Sequence, residues 1–147
     1  MIKTGYEEYL AAHGTLTYSN VGVSMMPLLR QGRDLFTVRA KGKARCKKYD
    51  VVLYRRPPAH YVLHRVIEVR EKDYVILGDN CIMKETGITD ADIIGVMTEF
   101  YRDGKRHTTD ELPYRIYSRA VVAAAPLRTV WRKLRQKAGR FLRRLAG

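Results

Sequence analysis

Short runs of strand-forming residues, separated by turn residues at regular intervals, constrain the fold of this chain more than any other feature. The runs are rich in Val, Ile, Tyr and Thr, which favour β-strands. They cover residues 15–21, 35–39, 50–55, 61–69, 74–77 and 93–101. Six short strands at this spacing predict a compact, mostly antiparallel β domain of the 147-residue chain.

Helical patterns flank the predicted strands on both sides. Residues 4–12 indicate a short helix with Thr4 as its cap. Helical composition returns at 112–125, and Pro126 begins a second helix that runs to about residue 145. We therefore divide the chain into two parts. Residues 1–111 form a β domain with a short N-terminal helix, and residues 112–147 form a helical, basic, amphipathic segment.

The net charge of +13 is concentrated at the C-terminal end. Residues 128–147 carry eight Lys and Arg and no acidic residue, so the first 127 residues carry only +5. On a helix, the apolar residues of this segment fall on one face, between basic flanks: Trp131, Leu134, Ala138, Phe141, Leu142 and Leu145. The pattern is typical of a helix packed on the sheet, and equally of one lying on anionic lipid. A nucleic acid is the less favoured partner, because no recognition motif accompanies the basic residues.

The cysteines and the apolar runs indicate the compartment. Cys46 and Cys81 form neither a disulfide framework nor a zinc motif. Residues 1–10 contain three charged residues and no apolar core, which predicts no signal peptide. The longest apolar run, 120–125, is far shorter than the roughly 18 residues of a membrane span. We predict a cytoplasmic protein without cofactor or metal, with peripheral contact to an anionic membrane through 128–147 as an open alternative.

A constrained serine is the main candidate for chemistry. Ser24 lies in the stretch Gly-Val-Ser-Met-Met-Pro, in which Pro27 fixes the backbone after the serine and Gly22 frees it before. A serine held in this way can present its hydroxyl and nearby N–H groups to one point, as a nucleophile with an oxyanion hole requires. We assign Gly22 and Met25 to the substrate-binding or oxyanion side. For this hexapeptide alone, a turn serine without a chemical role is the simpler alternative.

His64 is the candidate base, because it alone of the four histidines stands inside a strongly apolar strand. A buried core histidine is the alternative. As a base that takes the Ser24 proton, it needs an acid to orient it. Asp79 in a Gly-Asp-Asn turn is one candidate, and Glu85, six residues on, is the other. Asp79 is equally typical of a turn aspartate that bonds its own backbone, and Glu85 of an exposed loop carboxylate.

Five motifs, in order, resemble the type I signal peptidase superfamily over residues 18–100. They are Gly-x-Ser-Met-x-Pro-x-Leu from Gly22, Gly-x-Asp from Gly32, Tyr-Asp-Val-Val from Tyr49, His-Arg-Val from His64 and Gly-Asp-Asn from Gly78. The His-Arg-Val element is similar to the endoplasmic-reticulum and archaeal branch, which uses a serine–histidine pair. Bacterial signal peptidases and LexA-like self-cleaving repressors use a lysine instead.

The resemblance implies a β fold of the signal peptidase type and peptide hydrolysis through an acyl-enzyme. It also implies specificity for small substrate side chains on either side of the scissile bond. It implies Ser24 as the nucleophile, His64 as the general base, Asp79 as the aspartate of the Gly-Asp-Asn motif, and Glu85 as the third triad member. The sequence departs from the family at Gly22, where a hydroxyl residue is frequent, and at Glu85, where aspartate is usual. It also has only about twenty residues, and no membrane anchor, before the serine.

Three functions are therefore considered. The leading one is a small soluble serine endopeptidase that cleaves a peptide or protein precursor. The second is a non-catalytic peptide-binding module with the same fold. The third is an adaptor at an anionic membrane surface, in which residues 128–147 carry the function.

Overall fold

The computed structural model describes residues 2–58 and 60–147, with residues 2–4 described by their backbone alone. Helices flank the strands within these residues, in the order α1 (Ile2–His13), β1 (Thr15–Ser19), β2 (Leu35–Ala40), β3 (Val51–Arg56), β4 (His60–Val69), β5 (Tyr74–Leu77), β6 (Glu85–Ile88), β7 (Ile93–Arg102), β8 (Lys105–Thr108), α2 (Leu112–Ala123) and α3 (Ala125–Ala146). The mostly β class with flanking helices is confirmed.

The strands form one antiparallel sheet. Its order is β1-β2-β7-β3-β4-β5-β6, and β8 pairs with β7. The six predicted strands are present, and β6 and β8 are additional. The helix α1 begins at Ile2, so the prediction that Thr4 caps its start is wrong. No helix in the described part of the chain is long and apolar enough to span a bilayer.

Alternation along β3 divides the core into two clusters, one on each face of the sheet. Val51 and Leu53 pack in the first cluster, and Val52 and Tyr54 pack in the second. The first cluster also includes Met25, Leu28 and Leu29 from the loop between β1 and β2. The loop that carries the candidate nucleophile is therefore part of the core.

A buried ion pair joins the sheet to α2. Arg65 is fully buried and donates two hydrogen bonds of 2.8 Å to the carboxylate of Asp79. Its guanidinium also donates to Ser118 Oγ at 2.9 Å and to Tyr114 Oη at 3.3 Å, both on α2. Tyr117 Oη donates to Asp79 at 2.8 Å. The network fixes α2 beside the turn that contains Asp79.

Candidate active site

The loop that carries Ser24 is held at both ends. Gly22 has φ +81°, the left-handed region that glycine adopts without strain. Its N–H donates to Gln31 Oε1 at 3.0 Å across the base of the loop. The next residues anchor in the core, since Met25 and Leu29 are 1% and 0% exposed. Ser24 lies between these anchors and is half-buried.

The turn after β5 fixes the Ser24 backbone from the other side. The Asn80 N–H donates to the Ser24 carbonyl oxygen at 2.8 Å, and Asn80 Nδ2 donates to the Val23 carbonyl oxygen at 3.0 Å. A Cβ built on Gly78 would lie 2.8 Å from the Ser24 oxygen and 3.0 Å from His64 Cδ2. Only glycine fits there, so the Ser24 backbone and the Cδ2 edge of His64 both contact this turn.

The register between β3 and β4 places Tyr54 beside His64. Val52 pairs with His64, and Tyr54 pairs with Val62, so Tyr54 and His64 are diagonal neighbours on one face of the sheet. Tyr54 Oη lies 3.2 Å from His64 Nδ1 and donates to Glu85 Oε1 at 2.8 Å. Glu85 Oε1 is itself 4.0 Å from His64 Nδ1.

These contacts determine the tautomer of His64. An ionised carboxylate only accepts hydrogen bonds, so the Tyr54 hydroxyl must give its proton to Glu85. The Tyr54 oxygen is then an acceptor, and His64 Nδ1 must carry the hydrogen. Nε2 is left unprotonated, next to Cδ2 on the ring edge that faces the Gly78 turn. The basic nitrogen therefore lies on the ring edge next to the turn that bonds the Ser24 carbonyl oxygen.

The surroundings of His64 keep the imidazole neutral. Burial, and after it the positive charge of Arg56, lower its pKa from 6.5 to about 4, whereas the charge of Asp79 opposes the shift. Arg56 also forms a close ion pair with Glu85. A neutral imidazole is the protonation state that a general base needs at neutral pH.

Asp79 has a different set of partners. Its oxygens accept from Arg65 and Tyr117, and no hydrogen bond joins it to His64 in the part of the chain that the structure describes. Tyr54 thus links Glu85 to His64 by hydrogen bonds. Asp79 instead joins its turn to Arg65 and Tyr117. Its charge still acts on His64 over a longer distance.

A cavity of about 890 Å³ opens beside these groups, at the upper end of the range for ligand pockets. Ser24, His64 and Glu85 all line it, so the structure brings these three predicted residues to one site. Its apolar and aromatic walls include Leu16, Tyr18, Phe36, Leu53, Tyr61 and Leu63. The lining thus combines apolar and aromatic side chains with polar and charged ones.

The two residues predicted on the oxyanion side flank Ser24 in the loop. Gly22 precedes it with the positive φ described above, and Met25 follows it with a buried side chain whose Sδ accepts the Asp79 N–H at 3.5 Å. Asn20, Val21 and Ser24 form the cavity wall at this loop. An oxyanion role for the Met25 N–H stays a prediction.

Sequence reasoning missed Tyr54 and Asn80. Tyr54 ends the apolar run of β3 and resembles an ordinary core residue, because only the register with β4 reveals its neighbour. Asn80 belongs to the recognised Gly-Asp-Asn motif, whose spacing could have suggested a second polar contact. Among residues 2–58 and 60–147, no group of three or more His, Cys, Asp or Glu could hold a metal ion.

Comparisons with protein-family models, with curated proteins and with solved structures each found no match. The functional conclusion therefore depends on the geometry of the site.

Proposed function

We propose that this protein is a serine endopeptidase related to the type I signal peptidase superfamily, with Ser24 as the nucleophile and His64 as the general base. The observation that carries the proposal is the chain of hydrogen bonds from Glu85 through Tyr54 to His64 Nδ1. It leaves Nε2 basic on the edge that faces the turn bonded to Ser24. An arrangement of nucleophile, base and orienting group is the signature of nucleophilic catalysis.

The reaction would proceed in two halves. Ser24 Oγ attacks the scissile carbonyl carbon while its proton passes to His64 Nε2. The imidazolium then donates that proton to the leaving amine as the C–N bond breaks, which leaves an ester on Ser24. A water molecule attacks the ester, again losing its proton to Nε2, and the proton returns to Ser24 Oγ as the acid product leaves. The depressed pKa of His64 makes its protonated form a good donor to the amine.

No hydrogen bond joins Ser24 Oγ to His64 in the residues that the structure describes. Catalytic hydrogen bonds are often long before substrate binds and shorten in the complex. The apolar walls of the cavity would exclude water around the bound segment, and small substrate side chains next to the scissile bond are the specificity that we propose.

A fluorophosphonate probe tests the nucleophile without knowledge of the substrate. We expect Ser24 Oγ to displace fluoride from phosphorus and form one covalent adduct, located by peptide mapping. The heat-denatured protein should not react. A label on Ser19 or Ser118, or no label on the folded protein, contradicts the proposal. A protein that binds peptides in the cavity but takes no label would be the non-catalytic peptide-binding module.

The pH profile of labelling tests the base. Because burial lowers the pKa of His64 to about 4, we expect the labelling rate to stay constant from neutral pH down to about 5 and to fall as His64 becomes protonated near 4. An unperturbed histidine would instead give a midpoint near 6.5. A midpoint at or above 6.5 would show that His64 is not the base or is not buried in the working enzyme.

Tyr54→Phe tests the relay between Glu85 and His64. Without the hydroxyl, Nδ1 loses its acceptor, and we expect the labelling rate to fall on the order of 10- to 100-fold. Glu85 can then approach the ring directly, so the acid midpoint should move upward, a change that a purely structural role would not produce. The matched control is Tyr74→Phe, since Tyr74 is also fully buried and bonds a carboxylate, that of Asp90, away from the cavity. Equal effects of both variants would argue against the relay.

A further inference from the structure

Hydrogen bonds join the N-terminal part of α3 to residues 80 and 81, beside the cavity. Arg132 donates to the Asn80 carbonyl oxygen and to Asn80 Oδ1, both at 2.5 Å. Arg128 donates to the Cys81 carbonyl oxygen at 3.0 Å. These two arginines therefore define the face of α3 that meets the β domain.

The apolar stripe of α3 does not pack on the β domain and is exposed to solvent. Trp131 is 62% exposed and Leu134 is 55% exposed, so the packing of this stripe on the sheet, which the sequence left open, does not occur in this structure. The stripe continues along the helix with exposed fractions of 61% to 69% at Phe141, Leu142 and Leu145. A row of large apolar side chains over four turns is costly in water and is typical of a binding surface.

The charge beside the stripe identifies its partner. Six cations of α3 remain besides Arg128 and Arg132, and the helix has no acidic residue: Lys133, Arg135, Lys137, Arg140, Arg143 and Arg144. At 100° per residue, Arg135 lies next to one edge of the stripe, and Lys137 and Arg144 lie next to the other. A second copy of this chain would bring like charges together along both edges. An anionic lipid surface accepts the stripe among its acyl chains and the cations among its headgroups.

We propose that α3 binds the surface of an anionic membrane, with its apolar stripe inserted at the interface. The same helix positions the cavity, because Arg132 is bonded to Asn80, and Asn80 is bonded to Ser24 and Val23. Membrane binding by α3 thus places the mouth of the cavity, which Arg132 itself lines, close to the lipid. The inference is independent of the proposed catalysis, since it concerns a different surface.

Trp131 is the only tryptophan of the chain, so its fluorescence reports on the stripe directly. The full-length protein is mixed with vesicles of phosphatidylglycerol and phosphatidylcholine, or of phosphatidylcholine alone. We expect a blue shift and co-sedimentation with the anionic vesicles at low salt. Binding should weaken at least about 10-fold when salt is raised, because screening reduces the attraction between exposed charges and the headgroups.

Two double variants test whether the stripe of α3 is the membrane-binding surface, and both keep Trp131 as the probe. Leu134→Ser with Phe141→Ser removes stripe residues, and we expect co-sedimentation to fall by at least about 10-fold. The matched control is Leu112→Ser with Ile116→Ser on α2, whose side chains are 65% and 59% exposed and have only Arg115 and Arg119 near them. The control should bind anionic vesicles as the natural sequence does. Equal loss in both pairs would overturn the assignment to α3.

Other partners give different results. A blue shift that depends on protein concentration without lipid would indicate that two copies pair through the stripe. Binding of an oligonucleotide in preference to anionic vesicles would assign the cations of α3 to nucleic acid. Equal binding to neutral and anionic vesicles would remove the role of charge. Each of these outcomes, or no binding at all, overturns the proposal.

Discussion

Ser24→Ala is expected to abolish fluorophosphonate labelling and peptide cleavage while leaving the fold unchanged. The substitution removes only a hydroxyl from a half-buried position, and the loop remains held by the Ser24 carbonyl oxygen and the buried side chain of Met25. Without the attacking oxygen no acyl-enzyme forms, so we expect a loss of at least about 10³-fold in rate. Cleavage is measured on a mixed peptide library by mass spectrometry, and labelling on the same samples.

Circular dichroism and the melting temperature of Ser24→Ala supply the control for folding, and both should equal those of the natural sequence. Retained cleavage by a well-folded Ser24→Ala protein would show that another group is the nucleophile. If Ser24→Ala and His64→Ala both abolish cleavage, and Ser24→Ala is as stable as the natural sequence, the result would support the two residues acting as a unit.

Arg65→Ala is expected to have the largest effect on stability. Arg65 and Asp79 are each about 1% exposed at their side chains, so removal of the guanidinium leaves a buried carboxylate without its cation. Such a loss costs about 3–5 kcal/mol of the free energy of unfolding. For a chain of this length, the melting temperature should fall on the order of 10 °C. Thermal and denaturant unfolding measure both quantities.

Arg70→Ala is the matched control, since Arg70 also pairs with an aspartate, Asp73, but at the surface. Exposed pairs contribute little, and its loss should cost less than about 1 kcal/mol. The double variant Arg65→Met with Asp79→Leu removes both buried charges, so it should be more stable than Arg65→Ala. If Arg65→Ala and Arg70→Ala cost the same, the buried pair does not support the fold as described.

The sheet could be predicted from the sequence where strands alternate or are strongly apolar. β3 and β5 are such strands, and their positions were predicted to within one residue. β6 was missed because its four residues, Glu-Thr-Gly-Ile, include Gly87 at φ +77° and show no strand periodicity. Its structure depends on pairing with β5, a tertiary interaction that local sequence does not report.

The residues of the candidate site could be predicted from the sequence, but the hydrogen bonds between them could not. Ser24 and His64 stand out through local patterns, and both line one cavity. Which of the two acids lies beside His64 is not predictable from the sequence, because it depends on the strand register and on which residue pairs with Asp79. Arg65 is adjacent to His64 in sequence, yet alternation points it to the opposite face, where it bonds Asp79. The resemblance to signal peptidases stays a prediction.

Asn80 uses all four of its backbone and side-chain polar groups to join three distant stretches of the chain. Its two donors hold residues 23 and 24, and its two acceptors receive Arg132, across sequence separations of 52 to 57 residues. Contacts between such distant positions require the closure of long loops, which costs chain entropy. The backbone around Ser24 therefore takes this arrangement only when residues far along the chain have folded against it. If Ser24 and His64 catalyse cleavage as proposed, an incompletely folded molecule would have both residues without the geometry that makes them reactive, which would protect the protein and its neighbours from premature cleavage.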